Sequence, residues 1–444
     1  MDRPTHLLAG LGLARADIRA WAMYDWANSA FATTIITAIF PIYFTSVAAA
    51  ELPPGEATRL IARTTTIALT ISALLAPLLG ALADYAPVKK RLLGLFAGIG
   101  CMAAGALALT SRGDWLAAAV LFGIGNVGFT ASLTFYDSLL PHLARPEEID
   151  RVSTGGFALG YLGGGLLLAL NVSWILAPGA FGLRDAAQAS RLSFLSVAVW
   201  WALFSIPLFR RVAEPQVPTA RGPQSPAALA GAAVRGLLQT LRELRRFKQA
   251  LILLIAFVIY SDGIGTIIRL ATSYGTELGL DQGALITAIL LVQFAGMPFA
   301  FLFGLLANRM GAKASIFIAL AVYTAITVMA YYMETERDFY VLAFMVAMVQ
   351  GGSQALGRSL FASMIPRDRS SEFFGLFSTF EKFGAIAGPA LFEAASRSTG
   401  SSRSAILSVM VFFIAGAAVL ALVDVEAGRA AVESARPTDS ERGR

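Results

Sequence analysis

Charge, histidine and cysteine are all scarce in this chain. One cysteine, Cys101, among 444 residues excludes an intramolecular disulfide. Two histidines, His6 and His142, leave no cluster from which a zinc site could be built. No GxxxxGK[ST] phosphate loop occurs, so energy from bound ATP is not expected. Neither a cofactor nor a metal is expected. Asp, Glu, Lys and Arg make only 14% of the residues against 56% hydrophobic, and the mean hydropathy is +0.66. A soluble domain of this size could not bury so much apolar surface. The first residues, MDRPTHLLAGLGLARAD, hold a short apolar run without the charged, apolar and cleavage-site succession of a signal peptide.

What is abundant is long apolar sequence. Stretches of about 20 residues or more, enough to cross a ~30 Å hydrocarbon core, fall at 20–47, 60–84, 90–110, 115–140, 152–178 and 191–210. Six more follow at 249–273, 282–307, 313–333, 339–365, 372–396 and 404–424. They predict an all-α polytopic membrane protein of twelve transmembrane helices, with one six-helix bundle over 1–210 and another over 249–424. With a cytoplasmic amino terminus, the inner segments hold 24 of the 35 basic residues and the outer loops 8. The positive-inside rule then puts both termini in the cytoplasm of a cell (inner) membrane protein. This imbalance accounts for the net charge of +6 without any nucleic-acid partner. Between the bundles, 211–248 reads as a Pro/Ala/Gly-rich linker ending in an amphipathic helix, where Val234, Leu237, Leu238, Leu241 and Leu244 oppose Arg235, Arg242, Arg245 and Arg246. That segment either lies flat on the inner leaflet or extends the seventh span. Residues 425–444, polar and charged, are expected to be disordered.

The two halves echo each other. GALADYAPVKKR after the second span matches GLLANRMGAK after the eighth, with Gly80 to Gly304 and Asp84 to Asn308 each 224 residues apart, and the same offset carries Asn126 onto Gln350. Duplicated bundles imply a site between two halves that rock about it. With this loop signature, Gly-x-x-x-Asp followed by basic residues, the chain resembles the major facilitator superfamily over residues 20–424. YDWANSAFAT in the first span, GFALGYLGGG in the fifth and YSDGIGT in the seventh resemble the vacuole-effluxer family, whose fungal members export amino acids from the vacuole during autophagy. The resemblance implies an alternating-access transporter, with Gly80, Asp84, Lys89, Lys90 and Arg91 and their counterparts Gly304, Asn308, Arg309, Gly311 and Lys313 as gating loops. Tyr85 and Pro87 depart from the loop pattern, and Asn308 replaces its second acidic residue.

Polar residues inside apolar spans face protein or water and mark pathways. In the seventh span Asp262, Thr266, Arg269 and Ser273 share one stripe. Asp262 is expected to carry a proton, and Arg269, about 10 Å further along, to hold a substrate carboxylate rather than to pair with Asp262. The fourth span carries Asn126, Thr130 and Asp137, and the tenth Gln350, Gln354 and Arg358. Glu381 and Lys382 stand ~100° apart around the eleventh span, so only one is expected to face the cavity. Counted within the second half, Asp262 and Glu381 against Arg269, Arg358 and Lys382 leave one positive charge, suited to a carboxylate. In the first span, Asp25 and Asn28 form a stripe, read either as a helix N-terminal charge or as part of a cavity floor, with Trp21 and Trp26 at headgroup level. GIGNVG at 123–128 satisfies GxGxxG but lies inside a span with no preceding strand, so it reads as packing glycine. The same holds for the ladder Gly156, Gly160, Gly164.

These readings converge on a monomeric, twelve-helix secondary transporter of a small polar solute, proton-coupled, with amino-acid export implied by the resemblance. Export of other small organic acids or drugs, or a receptor that binds without moving its ligand, remain open alternatives. No constellation of nucleophile and base suggests an enzyme.

Overall fold

The computed structural model describes residues 10–53, 56–85, 87–215, 247–277, 280, 282–384 and 387–434. Among the described residues the fold is built of helices alone. The first half comprises α1 (Ala16–Ala48), α2 (Glu56–Tyr85), α3 (Lys89–Leu107), α4 (Trp115–Leu143), α5 (Ile149–Leu176) and α6 (Ala186–Arg211). The second comprises α7 (Lys248–Glu277), α8 (Gln282–Met310), α9 (Ala312–Tyr331), α10 (Glu336–Ser363), α11 (Ser370–Gly384), α12 (Ala387–Thr399), α13 (Arg403–Ala421) and α14 (Val425–Ser434). Eleven of the described helices are long and apolar enough to cross a membrane. The expected span at 372–396 is represented by α11 and α12, on either side of residues 385 and 386, which are not described.

Two expectations change here. Residues 425–434, expected to be disordered, form α14, anchored by Gln249 accepting from the Asp424 N–H and by the close seat of Gly428 against Met364. The amphipathic linker helix expected near 234–246 lies outside the described residues, as does the Ser273 side chain.

Local chemistry sets the helix ends. Thr335 and Asp338 close a capping box at the start of α10, and Gly311, at φ +87°, makes the turn between α8 and α9. Within α1, Phe31–Ala38 is wound as a π-helix. The hydroxyls of Thr33 and Thr37 donate to the carbonyls of Ser29 and Ala32 beside it, serving groups that the wider winding loosens.

Apolar lipid gives helices little reason to associate, so close packing of small residues must hold them. The ladder on α5 does this against α1. A methyl group on Gly156 would meet the Asp25 carboxylate and Trp21, one on Gly160 the Ser29 hydroxyl, and one on Gly164 the Ser29 backbone and Thr33. Gly125 and Gly128, inside the rejected GxGxxG match, seat Phe31 and the α3 backbone at Phe96 and Gly100. The halves meet along two seams, α2 with α11 and α5 with α8.

Candidate functional site: a central cavity and the gate beneath it

A cavity of about 360 Å³ lies between the halves. The first half lines it with Asp25, Asn28, Thr130, Thr134 and Asp137 and the second with Gln350, Gln354, Arg358, Glu381 and Lys382. The stripes of the first, fourth, tenth and eleventh spans are thus brought together.

Arg358 organises the cavity. Its side chain, on α10, crosses into the first half, where Nη1 lies 2.9 Å from Asp137 Oδ1 and Nη2 3.5 Å from Asp25 Oδ2. Nε donates to Ser153 Oγ at 2.9 Å and Nη2 to the Ser153 carbonyl at 3.0 Å, while Ser153 Oγ donates back to the Ala355 carbonyl. Three rings, Trp21, Tyr136 and Phe157, surround the guanidinium at 4.5 to 5.6 Å, where ring faces attract a cation. Tyr136 OH donates to Asp25 Oδ2 at 2.8 Å, and Trp21 Nε1 donates to the Tyr136 carbonyl. Arg358 is 5% and Asp25 7% exposed, so this is a buried ion-pair cluster joining the two halves.

Three sequence expectations are corrected by this arrangement. Trp21 is not a lipid-facing anchor: it is fully buried and stacked on Tyr136 at 4.5 Å. Glu381 and Lys382 do not diverge. Both line the cavity and pair at 3.0 Å, because their long side chains bend across the 100° between them. The positive surplus also disappears, since Asp25, Asp137 and Glu381 face Arg358 and Lys382 in one cavity.

The seventh span's stripe lies apart from that lining. Asp262 and Arg269, expected to be too far apart to pair, approach to 3.6 Å because the arginine side chain folds back along the helix. Asp262 Oδ2 also accepts from the Gly388 N–H in the first turn of α12, and buried Thr266 packs against Gly388. This geometry is that of a carboxylate holding a helix end. Asn126 likewise donates to the Phe122 carbonyl of its own helix and does not line the cavity.

The expected gating loops lie where the halves meet. A methyl group on Gly80 would stand 2.2 Å from the Ser371 carbonyl, so only glycine lets α2 reach α11. Asp84 then crosses the seam: Oδ1 and Oδ2 accept from the N–H groups of Ser371 and Glu372 at 3.2 and 2.7 Å. An anion is favoured at these unpaired donors of a helix start. Lys89 pairs with Asp84 at 2.8 Å and reaches Ser370 Oγ at 2.9 Å. Across the second seam Gly304 approaches Thr154, Asn308 Oδ1 accepts from Arg151 at 2.8 Å, and Ser359 donates to Asp150.

Other members of the expected gate work within their own half. Lys90 donates to the carbonyls of Phe209 and Val212 at the end of α6. Its counterpart Lys313 does the same for Ala421 and Val423 at the end of α13, so the internal repeat is visible in the contacts. Arg91 and Arg309 are exposed.

A family model described as vacuole effluxer Atg22 like matches residues 53–433. The chain belongs to this effluxer family. Among its relatives, the MFS-type transporter YxiO of Bacillus subtilis (strain 168) is 35% identical over 409 residues, 92% of this chain and 94% of YxiO. Autophagy-related protein 22 of Yarrowia lipolytica is 28% identical over 315 residues, 65% of this chain and 53% of the longer fungal protein. The fold is shared with the human organic anion transporter MFSD10 (TM-score 0.67, 12% identity, covering 91% of this chain and 99% of that one). It is shared also with the proton:xylose symporter XylE (TM-score 0.68, 13% identity, 92% and 95%). The effluxer-family chain is therefore a multi-pass membrane transporter of the major facilitator type, built to carry a small molecule, and not an enzyme.

Sequence reasoning singled out Asp25, Asp137 and Arg358 separately but missed Trp21, Tyr136 and Ser153 as their setting. A signal was present: the dipeptide Tyr-Asp occurs at 24–25 and again at 136–137. Gly156 tests the packing of this cluster. Gly156→Ala would put its methyl carbon 2.6 Å from Asp25 Oδ2, which Tyr136 and Arg358 hold in place. Transport is expected to fall at least tenfold, with the protein still folded by size-exclusion chromatography. Wild-type transport in this variant would show that the α1 and α5 contact has slack.

Proposed function

We propose that this transporter exports small zwitterions of the amino-acid class, one chain at a time, in exchange for protons, with both termini cytoplasmic. The observation that carries this reading is Arg358 clamped by Asp25 and Asp137 across the two halves, inside the cavity. To open the gate that cluster must come apart, and leaving a buried charge unpaired costs about 3–5 kcal/mol. A solute bearing both a carboxylate and an ammonium group offers a new partner to each side: its carboxylate to Arg358 through the planar fork, its ammonium to Asp25 or Asp137. A simple organic anion serves only the arginine.

Charge balance supports proton coupling. Three lining carboxylates face two lining cations, so a fully ionised cavity carries one excess negative charge. One proton shared by Asp25 and Asp137 removes it when the arginine withdraws. The expected orientation makes the closed gate cytoplasmic, so the state described faces outward. Efflux agrees with the family description, and amino acids with the resemblance of the spans.

Reconstituted vesicles provide the test. Labelled neutral amino acids are expected to accumulate under an imposed pH gradient. Asp137→Asn should keep solute exchange at equilibrium while losing gradient-driven accumulation. Transport of dicarboxylates but of no amino acid would overturn the substrate class. Full accumulation by both Asp137→Asn and Asp25→Asn would overturn the coupling site.

A further inference from the structure

His142 is the one described histidine, and no step above uses it. It lies at the end of α4 against the closed gate, where its Nε2 is 3.2 Å from Lys89 Nζ and 3.1 Å from Ser370 Oγ. Counting donors places the protons of Lys89 and Ser370. An ammonium carries three donors and no acceptor, and Lys89 has three neighbours to receive them: Asp84 Oδ1 at 2.8 Å, Ser370 Oγ at 2.9 Å and His142 Nε2. The single hydroxyl proton of Ser370 is directed to the Ser138 carbonyl at 2.9 Å. Ser370 Oγ keeps a lone pair toward His142 Nε2, so either neutral tautomer fits, but a second cation beside the Lys89 ammonium does not: in the closed gate the ring is a neutral imidazole.

We infer that His142 is a proton site of the transport cycle, empty while the gate is closed and filled when it opens. A second proton on the ring in the closed gate would put an imidazolium 3.2 Å from the ammonium of a Lys89 that is 2% exposed. The other charged groups around the ring do not offset this. Asp84 is already engaged by Lys89 and by two N–H groups of α11. Arg367, on the segment between α10 and α11, adds a further positive charge beside the ring, and Glu372 is held by Arg369 at 3.0 Å. When α11 leaves, Ser370 leaves with it and the imidazole meets water, where it protonates near its ordinary value of about 6.5. Proton uptake is thereby linked to the open state: the closed gate binds one proton fewer, so lowering the pH through that value favours opening. The site is separate from the cavity carboxylates. The inference rests on the proposed reading only in taking the seam of α2 and α11 as a gate that opens.

The test needs neither substrate nor a membrane potential. Spin labels are placed at exposed positions of the two halves through Glu147→Cys, between α4 and α5, and Arg309→Cys, at the end of α8, in a Cys101→Ser background, and the inter-label distance distribution is recorded in detergent between pH 7.5 and 5.5. The wild-type ratio of open to closed gate is expected to rise about tenfold over that range, the linkage value for one site with an open-state value near 6.5. His142→Gln presents an amide oxygen to Lys89 but cannot titrate. It should match the wild type at pH 7.5 and fall about tenfold short of the wild-type rise at pH 5.5, keeping only the pH dependence that the cavity carboxylates supply. A wild-type distribution insensitive to pH, or a His142→Gln variant with the wild-type response, would overturn the proposal and would leave the zwitterion reading, tested by solute flux, untouched. A His142→Gln variant already open at pH 7.5 would equally overturn it, since the histidine would then be holding the gate rather than sensing protons.

Discussion

Arg358→Ala is expected to abolish transport and to lower the stability of the closed state by about 3–5 kcal/mol, the usual cost of stranding buried charge. Asp25 and Asp137 lose their shared cation, Ser153 loses two hydrogen bonds, and three aromatic rings lose the group they enclose. A thermal unfolding scan in detergent beside a vesicle flux assay measures both effects. Arg358→Lys separates charge from shape. One ammonium cannot meet Asp137, Asp25 and Ser153 in the plane that the guanidinium fork spans, so stability should recover in part while flux stays near background. Flux at the wild-type level in Arg358→Lys would mean that the cavity needs only a positive charge there.

The second large effect belongs to the gate. Gly80→Ala removes no hydrogen bond and no charge, yet its methyl carbon would stand 2.2 Å from the Ser371 carbonyl, a backbone atom that cannot step aside. The closed state is therefore expected to be lost, with flux reduced to background and the gate held open. Asp84→Asn should shift the same equilibrium less severely, because an amide keeps one oxygen for the α11 N–H groups but loses the charge that Lys89 meets. The readout is alkylation of a reporter introduced by Ser371→Cys, which the closed seam buries. Fast alkylation in Gly80→Ala, intermediate in Asp84→Asn and slow in the parent is the expected order. Slow alkylation in Gly80→Ala would mean that α2 and α11 can close with a wider spacing.

Much of this transporter was legible in its sequence because the bilayer imposes strong rules. A span must be long, apolar and internally hydrogen-bonded, so eleven of the twelve expected spans stand as single long helices among the described residues, and a duplicated loop signature marked the two halves. Polar residues inside spans are costly enough to be few, and most of those lining the cavity were named from that alone. The glycine ladder of α5 was readable for the same reason, since close helix contact in lipid needs small residues.

Partnership was not legible, because it depends on distances between helices that are remote in sequence. Periodicity put Asp262 and Arg269 on one stripe without showing that the arginine folds back or that Gly388 takes the carboxylate. It put Glu381 and Lys382 on different faces without showing how far their side chains reach. The sequence by itself determined that this protein spans the membrane as two repeated helical bundles with a handful of interior charges. Only the tertiary structure decided which charges meet: Arg358 crosses to Asp25 and Asp137, and Asp84 crosses to the start of α11. The physical reason is that local pattern fixes which way a side chain leaves its helix, whereas the packing of one half against the other fixes what it finds there.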